Sequence, residues 1–208
     1  MRVGTGQDRS KPAAVTSVIV DQDVRRAKAT WRFMASRGIT VLGAAHDGAA
    51  ALELIERHAP TVAVVDTKLD TLSGLELAAR VTRSASTTAF LIHADWDDRR
   101  LLGDALDAGA RGFVSRDAPP RDLVRAIEMV CDGRYAVNIR LLGLLDDESK
   151  ANRGGLLSSR ERSVLRLSVN GVRRNDVWRD LSVSPVDVSR ELARAVSKLE
   201  VRRIEIST

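Results

Sequence analysis

One cysteine, Cys131, is all the thiol this chain carries, which excludes an intramolecular disulfide and any multi-cysteine metal cluster. The three histidines, His46, His58 and His93, show no metal-ligand spacing. No stretch approaches the about 18 consecutive apolar residues that a membrane-spanning helix needs. Residues 1–15 lack a hydrophobic signal core, so a polar, disordered tail and a reducing cytoplasm are expected. No tandem repeat is present. A general excess of positive charge is missing too. Of the net +5, +4 falls from Gly155 onward, where eleven Arg and Lys face seven Asp and Glu. A basic carboxyl-terminal module on an almost neutral remainder points to a nucleic-acid partner for that module.

What is present from residue 16 is alternation. The apolar runs SVIV (17–20), TVLGAA (40–45), TVAVV (61–65), AFLIHA (89–94) and GFVS (112–115) are separated by amphipathic stretches. These lie near 23–37, 47–58, 73–84, 96–108 and 119–132. Five such units predict an α/β domain over 16–134, a five-stranded parallel, doubly wound sheet with helices on both faces. Sheets of this kind place their sites at the carboxyl ends of strands. Asp21 closes the first run and Asp66 the third, so both carboxylates can enter one crevice. Oxygen ligands there suit Mg²⁺, and a carboxylate so held can act as a nucleophile toward a phosphoryl group. An Asp after a buried strand also serves simply to begin a loop, and both readings stand on pattern alone.

Residues 135–155 change character. NIRLLGLL suits a short helix, and DDESKANRGG has the composition of a flexible linker. Residues 156–208 then read as a small all-α domain. A first helix from about Ser159 to Asn170 stops at Gly171, a second carries Val177 and Leu181, and Ser184, Pro185 and Asp187 announce a third. On that third helix Val188, Leu192, Ala195, Val196 and Leu199 make an apolar stripe, opposite Val186, Arg190, Arg194 and Ser197. This is a helix-turn-helix pattern able to enter a major groove, where Arg bridges guanine N7 and O6. A three-helix bundle with a solvated basic face fits the same spacing.

LLSSRERSVLRL, the break at Gly171, and VWRDLSVSPVDVSRELARAVSKLEV resemble the DNA-binding domain of LuxR-type regulators. That family's pattern, LTxRExxVLxLxAxG then IAxxLxxSxxTVKxHxxxIxxKL, is matched without gaps over residues 156–203. The order SVIVDQD, VVDTKLDTLSGLELA, FLIHADWDD and GARGFVSRDAPPRDLVRAI resembles the receiver domain of bacterial response regulators. The combination is similar to the NarL/FixJ type. The resemblance implies a DNA-binding transcription regulator with a sensor kinase partner and a homodimer formed through the receiver. It implies Asp66 as phosphoacceptor, Asp21 and its successor as metal-side acids, and the Lys68 carbonyl as a Mg²⁺ ligand. His93 takes the place of a switch Thr or Ser, Phe113 that of a rotating aromatic, and Arg116 that of an essential Lys. Base readers fall on Ser189, Arg190 and Ala193, with Arg194 beside them and Arg173, Arg174 and Lys198 on phosphates.

The departures are chemical. Gln22 stands where the second acid belongs, which removes a charge that would hold Mg²⁺. Asp23 is offset by one residue, which turns its side chain away. His93 is larger than a hydroxyl residue, and the planar guanidinium of Arg116 can pair side-on with an unmodified Asp66. Ser189 and Glu191 replace the family's Lys and His, so nonspecific affinity should fall. Trp178 stands where a small residue is usual, and the usual fourth helix is mostly absent, leaving dimerisation to the receiver. The expected function is therefore a DNA-binding regulator not switched by ordinary aspartyl phosphorylation. The alternatives are a module that pairs with another regulator, or a phosphorylation-competent regulator using Asp66. No other catalytic constellation is present, so an enzyme is not expected.

Overall fold

The computed structural model describes residues 14–84, 86–95, 101–136 and 156–206. The expected amino-terminal tail up to residue 13, Trp96 and the segment 137–155 lie outside them. Strands β1 (Thr16–Val20), β2 (Thr40–Ala45), β3 (Val62–Val65), β4 (Ala89–Ala94) and β5 (Gly112–Ser115) form one parallel sheet in the order β2-β1-β3-β4-β5. Helices α1 (Val24–Ser36), α2 (Gly48–His58), α3 (Gly74–Arg83), α4 (Leu101–Asp107) and α5 (Pro120–Cys131) follow the strands in turn. Successive strand residues point to opposite faces, so the apolar runs feed two cores. Ile19, Val62, Val64 and Leu91 pack with Met34 of α1 and Ile127 of α5. Val18, Val20, Ala63, Val65, Phe90 and Ile92 form the other core, with Leu77 of α3 and Leu106 of α4.

The chain winds outward from β1 in both directions, to β2 on one side and β3 on the other, and the crevice opens at that switch point. Backbone bonds seat its two acids, because Asp21 N donates to the Ala45 carbonyl (3.0 Å) and Asp66 N to that of Val20 (2.8 Å). Gly74 is required behind Asp66, since a Cβ there would collide with the Asp66 carbonyl oxygen.

The carboxyl-terminal residues form α6 (Ser159–Val169), α7 (Arg174–Leu181) and α8 (Pro185–Ile206). Ser158 and Glu161 close a capping box at α6, and Gly171 adopts φ 74° just beyond it. At α8 the Ser184 hydroxyl donates to Asp187 (2.6 Å) while Asp187 N donates back (3.1 Å). Val188, Leu192, Ala195, Val196 and Leu199 are all buried. Trp178 is half-buried against this core, with the Arg179 guanidinium 5.6 Å from its ring centre. Among the described residues no helix is long and apolar enough to cross a membrane.

The two parts do not stand apart as a tethered pair. Helix α8 packs along α4, and the second sheet core runs without interruption through Leu102, Ala105 and Tyr135 into Leu192, Ala193 and Val196.

Candidate functional site

Asp21 and Asp66 do meet at the switch point, and both are buried. What faces them is a pair of guanidinium groups. Asp23 caps α1, accepting from Arg25 N (2.8 Å) and Arg26 N (3.1 Å), which sets Arg26 in the first helical turn. Helical side chains lean toward the amino terminus, so Arg26 folds back over the end of β1. Its Nε donates to Asp21 Oδ2 (2.5 Å) and its Nη2 to Asp21 Oδ1 (2.6 Å), a side-on fork. The same Nη2 reaches Asp66 Oδ2 at 3.4 Å.

From the end of β5, Arg116 brings Nη2 against Asp66 Oδ2 and donates from Nη1 to Asp95 Oδ2 (2.8 Å). The expected Arg116–Asp66 pair is present, but it is end-on; the side-on geometry belongs to Arg26 and Asp21. Arg116 divides itself between two acids from different loops, and among the described residues neither its buried Nε nor its Nη2 makes a hydrogen bond, Nη2 being held to Asp66 as an ion pair. Burial pushes the Asp66 carboxyl above its ordinary value, while the Lys68 N–H and Arg116 pull it back.

The donor set does not fit a divalent cation. Both Asp21 oxygens accept from Arg26, and Oδ1 also accepts from Asp23 N (2.9 Å). Asp66 Oδ1 takes the Lys68 N–H (3.1 Å) and Oδ2 takes the guanidinium groups. Gln22 is exposed, and Asp23 is engaged as a cap. Among the described residues no group of three or more His, Cys, Asp or Glu is placed to hold a metal. Asp21, Asp66 and Lys68 therefore share a crevice without forming a metal cage.

His93 lies at the same end of β4, where burial, then Arg116, pushes its imidazole down to about 4 from 6.5. A depressed histidine favours folding above its unfolded value, and that contribution is lost as pH falls from 6.5 through 4. Acidification from pH 7 to 4 should thus cost the native chain on the order of 2 kcal/mol through this group, after allowance for its partial exposure. His93→Leu should remove that part of the slope in urea titrations, and parallel slopes would show that His93 carries no such load. Phe113 is buried in the core beneath.

The reader surface is divided. Arg190 and Arg194 are exposed, Arg194 lying 3.4 Å from Glu191 of its own helix. Ser189 instead bonds across the domain junction, its hydroxyl 2.8 Å from that of Tyr135, and Ala193, one turn on, is buried. Arg174 N donates to the Gly133 carbonyl (2.8 Å), and Arg173 Nη2 to Asp132 Oδ1 (3.4 Å). Lys198 Nζ sits 2.8 Å from the buried Glu161, where it ties α8 to α6. Of the seven residues expected on DNA, Arg190 and Arg194 are the exposed pair that no contact among the described residues ties to another element.

Three participants escaped the sequence reading: Arg26, Asp95 and Tyr135. Arg26 was legible in principle, because an Asp cap three residues earlier puts it in the one turn that leans over the crevice. Asp95 and Tyr135 carry no local signal.

Residues 18–128 match the family model described as the response regulator receiver domain. A relative named "Probable transcriptional regulatory protein NarL" of Mycobacterium tuberculosis (strain ATCC 25618 / H37Rv) is 34% identical over 169 residues, covering 80% of this chain and 78% of that protein. The solved signal receiver domain of NarL from the same species is 33% identical, with TM-score 0.57, over 59% of this chain and all of that one. A solved structure of two RcsB dimers bound to two parallel DNAs shares the fold at 21% identity and TM-score 0.60, over 90% of this chain and 92% of that one.

Proposed function

Because this chain belongs to the response regulator receiver family, and its likeness to a transcriptional relative extends beyond the receiver, we propose that it is a DNA-binding transcription regulator in which aspartyl phosphorylation of Asp66 is not the ordinary switch. The observation that carries the reading is α8. A capped helix keeps Arg190 and Arg194 exposed on the side away from its apolar stripe, in the last quarter of the chain, which holds +4 of the net +5. Arginine placed so can pair with guanine in a major groove.

The other flank of α8 lies on the receiver, so DNA is reached from a state in which the two have parted. Binding then draws on an equilibrium between docked and free reader, and the apparent affinity is reduced by the free fraction. Dimerisation runs through the receiver, and a dimer matches the two-fold arrangement of half-sites that such readers use.

The test is duplex binding by the full chain at low salt. Arg190→Ala and Arg194→Ala should each weaken binding by about 1–3 kcal/mol, with the larger loss of sequence preference at Arg190. No binding at low salt, or binding indifferent to both changes, would end the reading. That result would favour the second one, a module that pairs with another regulator. Its support is the engagement of Ser189, Arg173 and Lys198 within the chain itself.

A further inference from the structure

We propose that Arg26 is a built-in counter-ion that stands between Asp21 and Asp66 in place of a divalent cation, so that this receiver offsets the charge of its two buried acids without recruiting metal. The inference rests on the reading of Asp66 as outside the usual phosphorylation cycle, and it names what replaces that cycle's cation.

Position is the first argument. Arg26 touches both acids of the switch point, in a fork on Asp21 and at 3.4 Å from Asp66. A cation bridging the two carboxylates would need the Asp21 oxygens to which Arg26 already donates. Charge is the second. The two buried carboxylates, Asp21 and Asp66, each have a guanidinium against them, Arg26 and Arg116, while the more exposed Asp23 and Asp95 lie on the outer side of the same two groups. A third positive centre would enter against both guanidinium groups, without the second acid that Gln22 replaces. Hydration is the third. A guanidinium is weakly hydrated and sheds water readily, whereas Mg²⁺ gives up its shell reluctantly and is held when carboxylates repay that cost.

The arrangement is also reversible by rotation alone. The Arg26 side chain is 34% exposed and sits at the mouth of the crevice, so turning it toward solvent frees Asp21 without moving the backbone. The resting receiver is therefore insensitive to divalent cation, and its crevice changes state when an arginine moves.

Mn²⁺ alone is the probe, titrated into the full chain with free ion followed by electron paramagnetic resonance. The native chain should show no saturable binding at this crevice, and Arg26→Lys, which keeps the charge, should behave like it. Arg26→Gln combined with Gln22→Asp should bind Mn²⁺ at least about tenfold more tightly than the native chain, since a nearby positive charge is exchanged for a negative one. Adding Asp21→Asn should abolish that gain. Circular dichroism of each variant is the control that it is folded. Saturable Mn²⁺ binding at this crevice by the native chain overturns the proposal, and so does a folded double variant that binds no better than native. The two readings fail separately. Mn²⁺ binding by the native chain refutes the role of Arg26, whereas an added phosphoryl mass on native Asp66 from a small phosphodonor refutes the reading of Asp66.

Discussion

Tyr135→Ala is expected to release α8 from the receiver and to raise the affinity of the chain for duplex DNA by about tenfold or more. Tyr135 is 1% exposed and is among the largest side chains buried in the molecule. Its backbone neighbour Ala136 accepts from Phe113 N (3.1 Å) and pairs with Gly112, which fixes the residue to β5. Its hydroxyl meets Ser189 at 2.8 Å on the helix that would read DNA. Truncation empties a cavity at the junction of the two cores, worth about 3–5 kcal/mol for an aromatic side chain. Because the docked state relies on that contact more than the free one does, the free fraction rises, and apparent affinity rises in proportion. Tyr135→Phe keeps the ring and removes the hydroxyl, a loss of about 1 kcal/mol that should give a smaller gain. Anisotropy titrations alongside urea unfolding read both effects. A folded Tyr135→Ala chain with unchanged DNA affinity would show that docking on the receiver does not limit the reader.

Arg116→Met should destabilise the receiver by about 3–5 kcal/mol at neutral pH, because it strips a buried carboxylate of its nearest cation. Asp66 would keep the Lys68 N–H and the more distant Arg26. Burial already pushes its carboxyl above 3.8, and loss of Arg116 pushes it further. A carboxyl raised in the folded state costs nothing below its unfolded value and progressively more as pH climbs through the folded one. The defect should therefore be small near pH 4 and full by pH 7, opposite in sense to the His93 effect. Methionine fills similar space, so the comparison reports charge more than volume. Equal unfolding midpoints for native and Arg116→Met chains at pH 7 would show that the pair does not hold the crevice.

The fold was written in local chemistry. Short β-branched runs such as VAVV, buried on both faces, form a central parallel strand wherever amphipathic helices cover them, and all five runs became strands within a residue of their expected limits. The same holds for the Ser184 cap, because a cap and the backbone it satisfies are three residues apart or fewer, whereas the equally local caps at Asp23 and Ser158 were found in the structure. The meeting of Asp21 and Asp66 was legible for a topological reason, since strand ends on either side of a switch point are always neighbours.

The occupancy of the site was only partly legible. That Arg116 would approach Asp66 could be read from its place after the fifth run. That it would turn end-on, and share itself with Asp95, depended on a loop whose path no residue pattern specifies.

By itself, then, the sequence determined which elements form, which acids close the strands and which arginines an isolated reader helix would display, because those follow from periodicity and contacts a few residues apart. Only tertiary structure decided that Arg26 fills the acidic crevice and that Tyr135 holds Ser189 against the receiver. Those contacts join groups whose approach depends on how side chains and whole helices share the remaining space, and no short-range pattern records that competition.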